Sequence, residues 1–365
     1  MRARAGLVAA ALTLLVAGCS APAPAPQEER TAPLVLPDGY SDPGLEATLV
    51  PECGTPEGRA QYNPRRTLNP AGLTRDAAGT PTGPKLDKIR EDGLLVVGVS
   101  QTTPLLSRRN QATGRMEGYE IDIINRIAAE LFGGPLPPDD PRLRLVTMPT
   151  GSRLLALDTD KNDVERQKTP ELAEVPEVDM VVADVTLTCN RVFTHDVMYS
   201  SPYLTTNAGL LTRTGAERRD SLADLYGQKV CAASATTSIA DLTAARPNTG
   251  IVPVSVPDSS ECLMLLQRGL VDAVYTDFPI LQGLQLQDPG TALVDLRGQG
   301  GGEAGIAMSK DHQDLIRFVN GVLDEMRADG TLVASRNRWF VDEVRAAGLG
   351  DPGPPLDLPP VSYID

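Results

Sequence analysis

The chain has 365 residues, of which 48 are Asp or Glu and 34 are Lys or Arg, a formal net charge of -14. So acidic a balance excludes nucleic acid as a partner, because phosphate binding needs a basic stripe, and it disfavours attraction to anionic membrane surfaces. The length is enough for two modest hydrophobic cores.

Taken in chain order, the first stretch, "MRARAGLVAAALTLLVAGC", has two arginines and then an apolar run from Leu7 to Ala17 that is too short to span a bilayer. Residues 1–18 read as a secretory signal. Val16-Ala17-Gly18-Cys19 resembles the lipobox of bacterial lipoproteins, which makes Cys19 the lipidated first residue of the mature chain, on the outer face of the cell membrane. Residues 19–84 ("APAPAPQEER", "AAGTPTGP") are rich in Pro, Ala, Gly and charge, and have little apolar periodicity. Such a segment buries too little surface to offset its ordering entropy, so it reads as a largely irregular tether, and the Pro-rich tail 346–365 has the same character.

Between them, short apolar runs alternate with helical patterns. "LLVVGV" from Leu94, "LRLV" from Leu143, "VDMVVA" from Val178, "KVCAA" from Lys229, "IVPVSV" from Ile251, "VDAVYT" from Val271 and "GIAMS" from Gly305 are candidate strands. "IDIINRIAAELF" places Ile121, Ile124, Ala128 and Leu131 on one helix face, stopped by Gly133-Gly134; Leu315, Val319, Val322 and Met326 do the same near the C-terminus. Strands alternating with helices imply an α/β fold with mostly parallel sheets.

"VDMVVADVT" and "VDAVYTDFP" repeat one pattern about ninety residues apart: Val-Asp, an apolar strand, then a second Asp, namely Asp184 and Asp277. Ligands of open α/β sheets gather at the carboxyl ends of strands, so both aspartates point toward a site shared by two lobes. The alternative is that each Asp merely caps a helix. The chain is expected to cross between lobes near 200–206 and again near 296–305, a two-segment hinge.

With Cys19 set aside, four cysteines remain, an even number in a chain sent to an oxidising compartment. Three pairings are open. Cys231 with Cys262 is favoured, since both fall in one stretch of alternating strand and helix, and Cys53 with Cys189 would staple the tether to the body. No CxxC or Cys/His cluster occurs, so no metal or other cofactor is expected.

Several motifs in order carry a family resemblance over Lys85 to Phe340. "TLTCNR…YSSPY", "GRMEGYEIDIINRIA", "SLADLYGQKVCAASATTS", "LLQRGLVDAVYTD" and "FVNGVLDEMRADGTLVASRNRWF" together resemble the bacterial extracellular solute-binding proteins of family 3. That family comprises polar-amino-acid-binding components of ABC importers, including glutamine- and glutamate-binding lipoproteins. The resemblance implies a periplasmic-binding-protein-like type II fold, with lobe 1 formed by 85–203 plus 302–345 and lobe 2 by 204–301. It implies a monomer with no catalysis of its own, which delivers glutamate, glutamine, aspartate or asparagine to permease and ATPase subunits.

The resemblance also assigns the site. Arg191 would hold the ligand α-carboxylate in a bidentate fork that lysine cannot reproduce. Thr186 would add its hydroxyl and N–H, the carbonyl of Asp184 would accept from the α-ammonium, and Asp277 would pair with that ammonium from the other lobe. The turn Ala235, Thr236 and Thr237, before a helix N-terminus, would receive polar side-chain groups; simple capping by Thr236 or Ser238 is the structural alternative.

The sequence departs from the family's pattern at several places. Leu105 and Leu106 stand where an aromatic shelf is usual, "MPTGSR" also lacks an aromatic, Ala235 replaces a glycine, and Asp184 replaces a small residue. If Asp184 presents its carboxylate to the cleft, a basic amino acid becomes credible. The charged insertion 158–177 reads as a solvated loop, His195 and His312 as surface or capping residues, and Trp339 as packing for a closing helix. Two other functions use the same scaffold: a sensor lipoprotein signalling to a membrane partner, and a dehydratase, which would need a general acid or base aimed at its substrate.

Overall fold

The computed structural model describes residues 51–168, 175–216 and 219–350, and in the tail 352, 357, 358 and 361–365. The signal, Cys19 and the tether up to residue 50 lie outside the described residues.

Each lobe is built on a five-stranded sheet. In lobe 1 the order is Leu143–Thr147, Leu95–Val99, Met180–Val181, Ala307–Ser309 and Val197–Tyr199; in lobe 2 it is Val252–Val256, Lys229–Ala233, Ala273–Asp277, Ala208–Arg213 and Thr291–Asp295. The central strands pair in parallel, with Leu95 opposite Leu143 and Lys229 opposite Val252. Ala307–Ser309 and Ala208–Arg213 run antiparallel to both their neighbours. Each sheet therefore has one reversed strand, and in both cases it is the strand the chain enters directly after crossing from the other lobe.

The crossings themselves, Leu204–Thr206 and Gly302–Ala304, form a two-stranded antiparallel ribbon with Leu204 opposite Ala304. Just before the second, Gly301 has φ of +77°, and a Cβ there would lie 2.5 Å from the Thr206 carbonyl oxygen, so only glycine fits this close approach. Separate apolar cores sit behind the two sheets. Val181, Val185, Val197 and Tyr199 belong to one; Leu210, Val230, Leu242 and Tyr275 belong to the other.

The helix Tyr119–Phe132 buries Ile121, Ile124, Ala128 and Leu131 and ends at Gly133 in the left-handed conformation. The helix Gln313–Ala328 buries Leu315, Val319, Val322 and Met326. Trp339 is buried and donates its indole N–H to Asp122 at 2.8 Å, fixing the closing helices against Tyr119–Phe132.

The described parts of two segments read as irregular are ordered. Residues 51–84 pack on lobe 1 through short helices at Pro51–Gly54, Pro56–Gln61 and Pro70–Gly72. What holds them is mainly polar: fully buried Asn320 donates to the Thr67 hydroxyl at 2.8 Å and to the Leu68 carbonyl at 2.7 Å, while its own oxygen accepts from Ser201 N–H at 2.7 Å. Part of the tail joins the same site, where Tyr363 bridges Thr67 and donates to Asp324 at 2.7 Å, and Asp365 pairs with Arg317. Bonds of this kind carry no periodicity, so the sequence pattern cannot show them.

Within the charged insertion, Asp160–Lys168 is a helix with acidic residues in its first turn and basic residues in its last; residues 169–174 lie outside the described residues. It is tied down by buried Asn162, which donates to the carbonyls of Leu154 at 2.7 Å and Leu157 at 3.0 Å. The cysteines pair as Cys53–Cys189 and Cys231–Cys262.

Asn320→Ala removes three hydrogen bonds at once and leaves their buried partners unsatisfied, at about 1–3 kcal/mol for each group left unpaired. The expected result is a loss of about 3 kcal/mol or more in chemical denaturation. Hydrogen exchange should quicken across 62–72 before it quickens in either sheet; unchanged exchange there would show that Asn320 does not hold the segment.

Candidate functional site

A cavity of about 130 Å³ lies between the lobes, lined from one side by Thr150, Arg153, Asp184, Thr186 and Arg191 and from the other by Ala235–Ser238, Asp258 and Asp277. All seven ligand-contact positions expected from the sequence line this one space.

Arg191 occupies the first turn of the short helix Cys189–His195, whose N-cap Thr188 accepts from the Arg191 N–H at 3.3 Å. One guanidinium nitrogen donates to the Thr186 carbonyl at 2.7 Å, and the other crosses the cleft to the Ala235 carbonyl at 3.1 Å. Ala235 has φ of +56°, a conformation that turns its carbonyl toward the arginine at some steric cost to an L-residue. Thr186 and Thr237 face each other with hydroxyl oxygens 3.4 Å apart. The Thr236 hydroxyl is occupied in capping: it accepts from Ile239 N–H at 3.1 Å and donates to the Ala233 carbonyl at 2.6 Å.

Asp277 ends its strand and begins the helix Phe278–Gln287, yet its side chain makes no capping bond. The carboxyl is buried and faces the cavity. Burial pushes its pKa up to about 6, against the opposing pull of the Thr206 hydroxyl and Arg191.

Asp184 has φ of +48°, and its N–H donates to Glu120 at 2.6 Å and to the Tyr203 hydroxyl at 3.2 Å. Neither of its carboxylate oxygens has a hydrogen-bond donor, although both are buried. Burial first, then the neighbouring Asp277 and Glu120 carboxyls, raise its pKa well above the ordinary value. Asp184 thus lines the cleft with a buried carboxyl that no donor within the protein meets, as well as holding the site's backbone turn.

Arg153 and Asp258 were not singled out from the sequence. Arg153 is buried, donates to the Ala183 carbonyl at 3.1 Å and lies 3.6 Å from Asp258 across the cleft; Thr150 donates to the same carboxylate at 3.0 Å. Burial lowers the arginine's pKa, with Asp258 the largest opposing influence. The available signals were "MPTGSR" and the Asp-Ser-Ser start of a helix, each ordinary in isolation.

The histidines do not sit as expected. His195 lines the cavity and hydrogen-bonds Asn162 at 3.2 Å, and burial brings its pKa down to about 4. His312 occupies a helix N-cap position but makes no side-chain cap bond. Glu303 lies in the crossing ribbon and pairs with Arg65 at 2.6 Å.

Residues 171–342 match the bacterial extracellular solute-binding proteins, family 3. This match covers a little under half of the chain. Among its relatives, the glutamate-binding protein GluB of Corynebacterium glutamicum is 29% identical over 273 residues, covering 72% of this chain and 83% of the relative. A glutamine-binding protein of Geobacillus stearothermophilus is 27% identical, covering 62% and 75%. Among solved structures, an ancestral arginine-binding protein bound to arginine aligns with a TM-score of 0.56 at 27% identity, covering 68% of this chain and 98% of that one. The fold is the type II periplasmic-binding-protein fold.

The raised carboxyls make the empty site pH-dependent. Groups whose folded pKa is raised contribute stability that is full below about pH 4 and lost as pH climbs through the folded value, here about 6 for Asp277. The melting temperature of the ligand-free protein is expected to fall between pH 5 and 7, on the scale set by that shift, and Asp277→Asn should flatten this slope. A slope unchanged in the variant would place the titration elsewhere.

Proposed function

We propose that the protein captures a free polar amino acid between its lobes and delivers it to the permease and ATPase subunits of an ABC importer. In this reading Cys19 carries the lipid that holds the protein at the outer face of the cell membrane.

The observation that carries the proposal is that Arg191 and Asp277, from opposite lobes, face one small cavity. A free amino acid has an acid end and an amine end a few ångströms apart, and these two side chains are of the matching charges. On entry, the α-carboxylate exchanges for the carbonyls now held by Arg191, whose planar fork suits it. The α-ammonium takes Asp277 in its ionised form, which the Arg191 charge and the Thr206 hydroxyl already favour. Thr186 and Thr237 supply hydroxyls between these ends.

Charge-assisted hydrogen bonds contribute about 1.5–3 kcal/mol each, so four or five near the upper end of that range, about 12–15 kcal/mol, cover the roughly 8 kcal/mol of micromolar affinity and association costs of about 4 kcal/mol. Because the ligand touches both lobes, it favours the closed form, and closure is what a membrane partner can read. The glutamine-binding and glutamate-binding relatives support the ligand class. His195, already satisfied by Asn162 and held neutral, is a poor general base, which weighs against the dehydratase reading.

Arg191→Ala is expected to weaken binding by roughly 100-fold, the loss of two charge-assisted bonds, in isothermal titration against the twenty amino acids. Circular dichroism of the variant should match that of the parent. Retained affinity would remove Arg191 as the anchor. Mass spectrometry of the mature protein isolated from membranes should find Cys19 first and diacylated; an unmodified Cys19 would remove the anchoring claim.

A further inference from the structure

We infer that Asp184 makes the cleft selective for an amino acid with a second positive charge, a side-chain ammonium of the ornithine or lysine kind, and selective against acidic side chains. This rests on the amino-acid-capture reading and narrows its ligand away from glutamate and aspartate.

Three observations lead there. An L-residue at φ of +48° is strained. Aspartate tolerates that conformation better than most residues, but its usual compensation is a local hydrogen bond, and both Asp184 carboxylate oxygens lack any donor. A buried carboxylate without a donor is costly, so the folded protein gains nothing from it that glycine would not give. What would complete it is a donor brought from outside.

The charges lining the cavity say which kind of donor. Arg153 and Arg191 are opposed by Asp184, Asp258 and Asp277. Asp258 faces Arg153, and the two ends of a zwitterion occupy Arg191 and Asp277. Asp184 remains, with the buried Glu120 carboxyl behind it and the Asp277 carboxyl as a second negative neighbour. A neutral ligand brings no charge to offset the Asp184 carboxyl, and an acidic side chain brings a further negative charge among carboxyls. A side-chain ammonium supplies up to three donors and cancels the charge.

The lining also separates ammonium from guanidinium. Leu105 and Leu106, at the place of the expected aromatic shelf, are fully buried, and among the described lining residues the apolar contacts are aliphatic, Leu154 and Ile280. The one flat ring among the described lining residues is the His195 imidazole, held by Asn162, and no Phe, Tyr or Trp is offered for a guanidinium to stack on. The small volume and the nearness of Asp184 to Asp277 suit a compact cation.

The test is isothermal titration of the full chain at pH 7.5 with L-ornithine, L-lysine, L-arginine, L-glutamine and L-glutamate, repeated on Asp184→Gly and Asp184→Asn. Ornithine or lysine should bind at least ten-fold tighter than glutamine, with glutamate weakest. Asp184→Gly, which suits the backbone conformation, should melt no lower than the parent, lose at least ten-fold for the diamino acids and gain for glutamine. Equal or tighter binding of glutamine or glutamate by the parent, or an unchanged ranking in both variants, would overturn the inference while leaving amino-acid capture standing. If arginine ranks first and Asp184→Gly abolishes that preference, the preference for ammonium over guanidinium fails. Absence of binding by all five, and by the remaining amino acids, would remove the capture reading and the inference with it.

Discussion

One guanidinium bridges the two halves of this molecule. Arg191 donates to a carbonyl of its own lobe and to one of the opposite lobe, Thr186 and Ala235, so the group best suited to hold a carboxylate is also the group that joins the two walls. Its position follows from sequence in a short chain of causes. Thr188 caps the helix, the cap orients the first turn, and the first turn aims the side chain into the gap. Ala235 completes the bridge only by adopting a backbone conformation better suited to glycine.

Around that bridge the site is an arrangement of buried charge. Carboxyls of Asp184 and Asp277 converge from strands of similar pattern in the two lobes, and burial drives both pKa values upward. A second cross-cleft pair, Arg153 with Asp258, adds a contact on the other side of the cavity. Buried ion pairs add little net stability, since desolvation offsets their attraction.

Much of the fold was legible because its elements depend on apolar repetition. The Ile121, Ile124, Ala128 and Leu131 stripe marks a helix whose buried face is the same stripe, and the two Val-Asp strands ending in Asp184 and Asp277 mark the walls of one cavity. What escaped the sequence depends on single polar side chains meeting across long separations. Asn320 with Thr67 and Leu68, and Arg153 with Asp258, join segments that share no pattern. The helix Asp160–Lys168 escaped for a related reason: it is polar on nearly every face, and only Asn162 is buried. The direction of the Asp184 carboxylate was open from sequence, because it turns on a φ angle that no residue pattern displays.

The Cys53–Cys189 bridge joins the N-terminal lead to the first residue of the helix that bears Arg191. Covalent attachment at that point belongs to lobe 1 alone. If the lead is moored at its far end, lobe 1 is the stationary jaw and the half carrying Ala235, Asp258 and Asp277 is the one that swings. A docked transporter would then meet a fixed platform with a travelling partner, and the outward face of that travelling half becomes the surface whose position reports whether the jaws are shut.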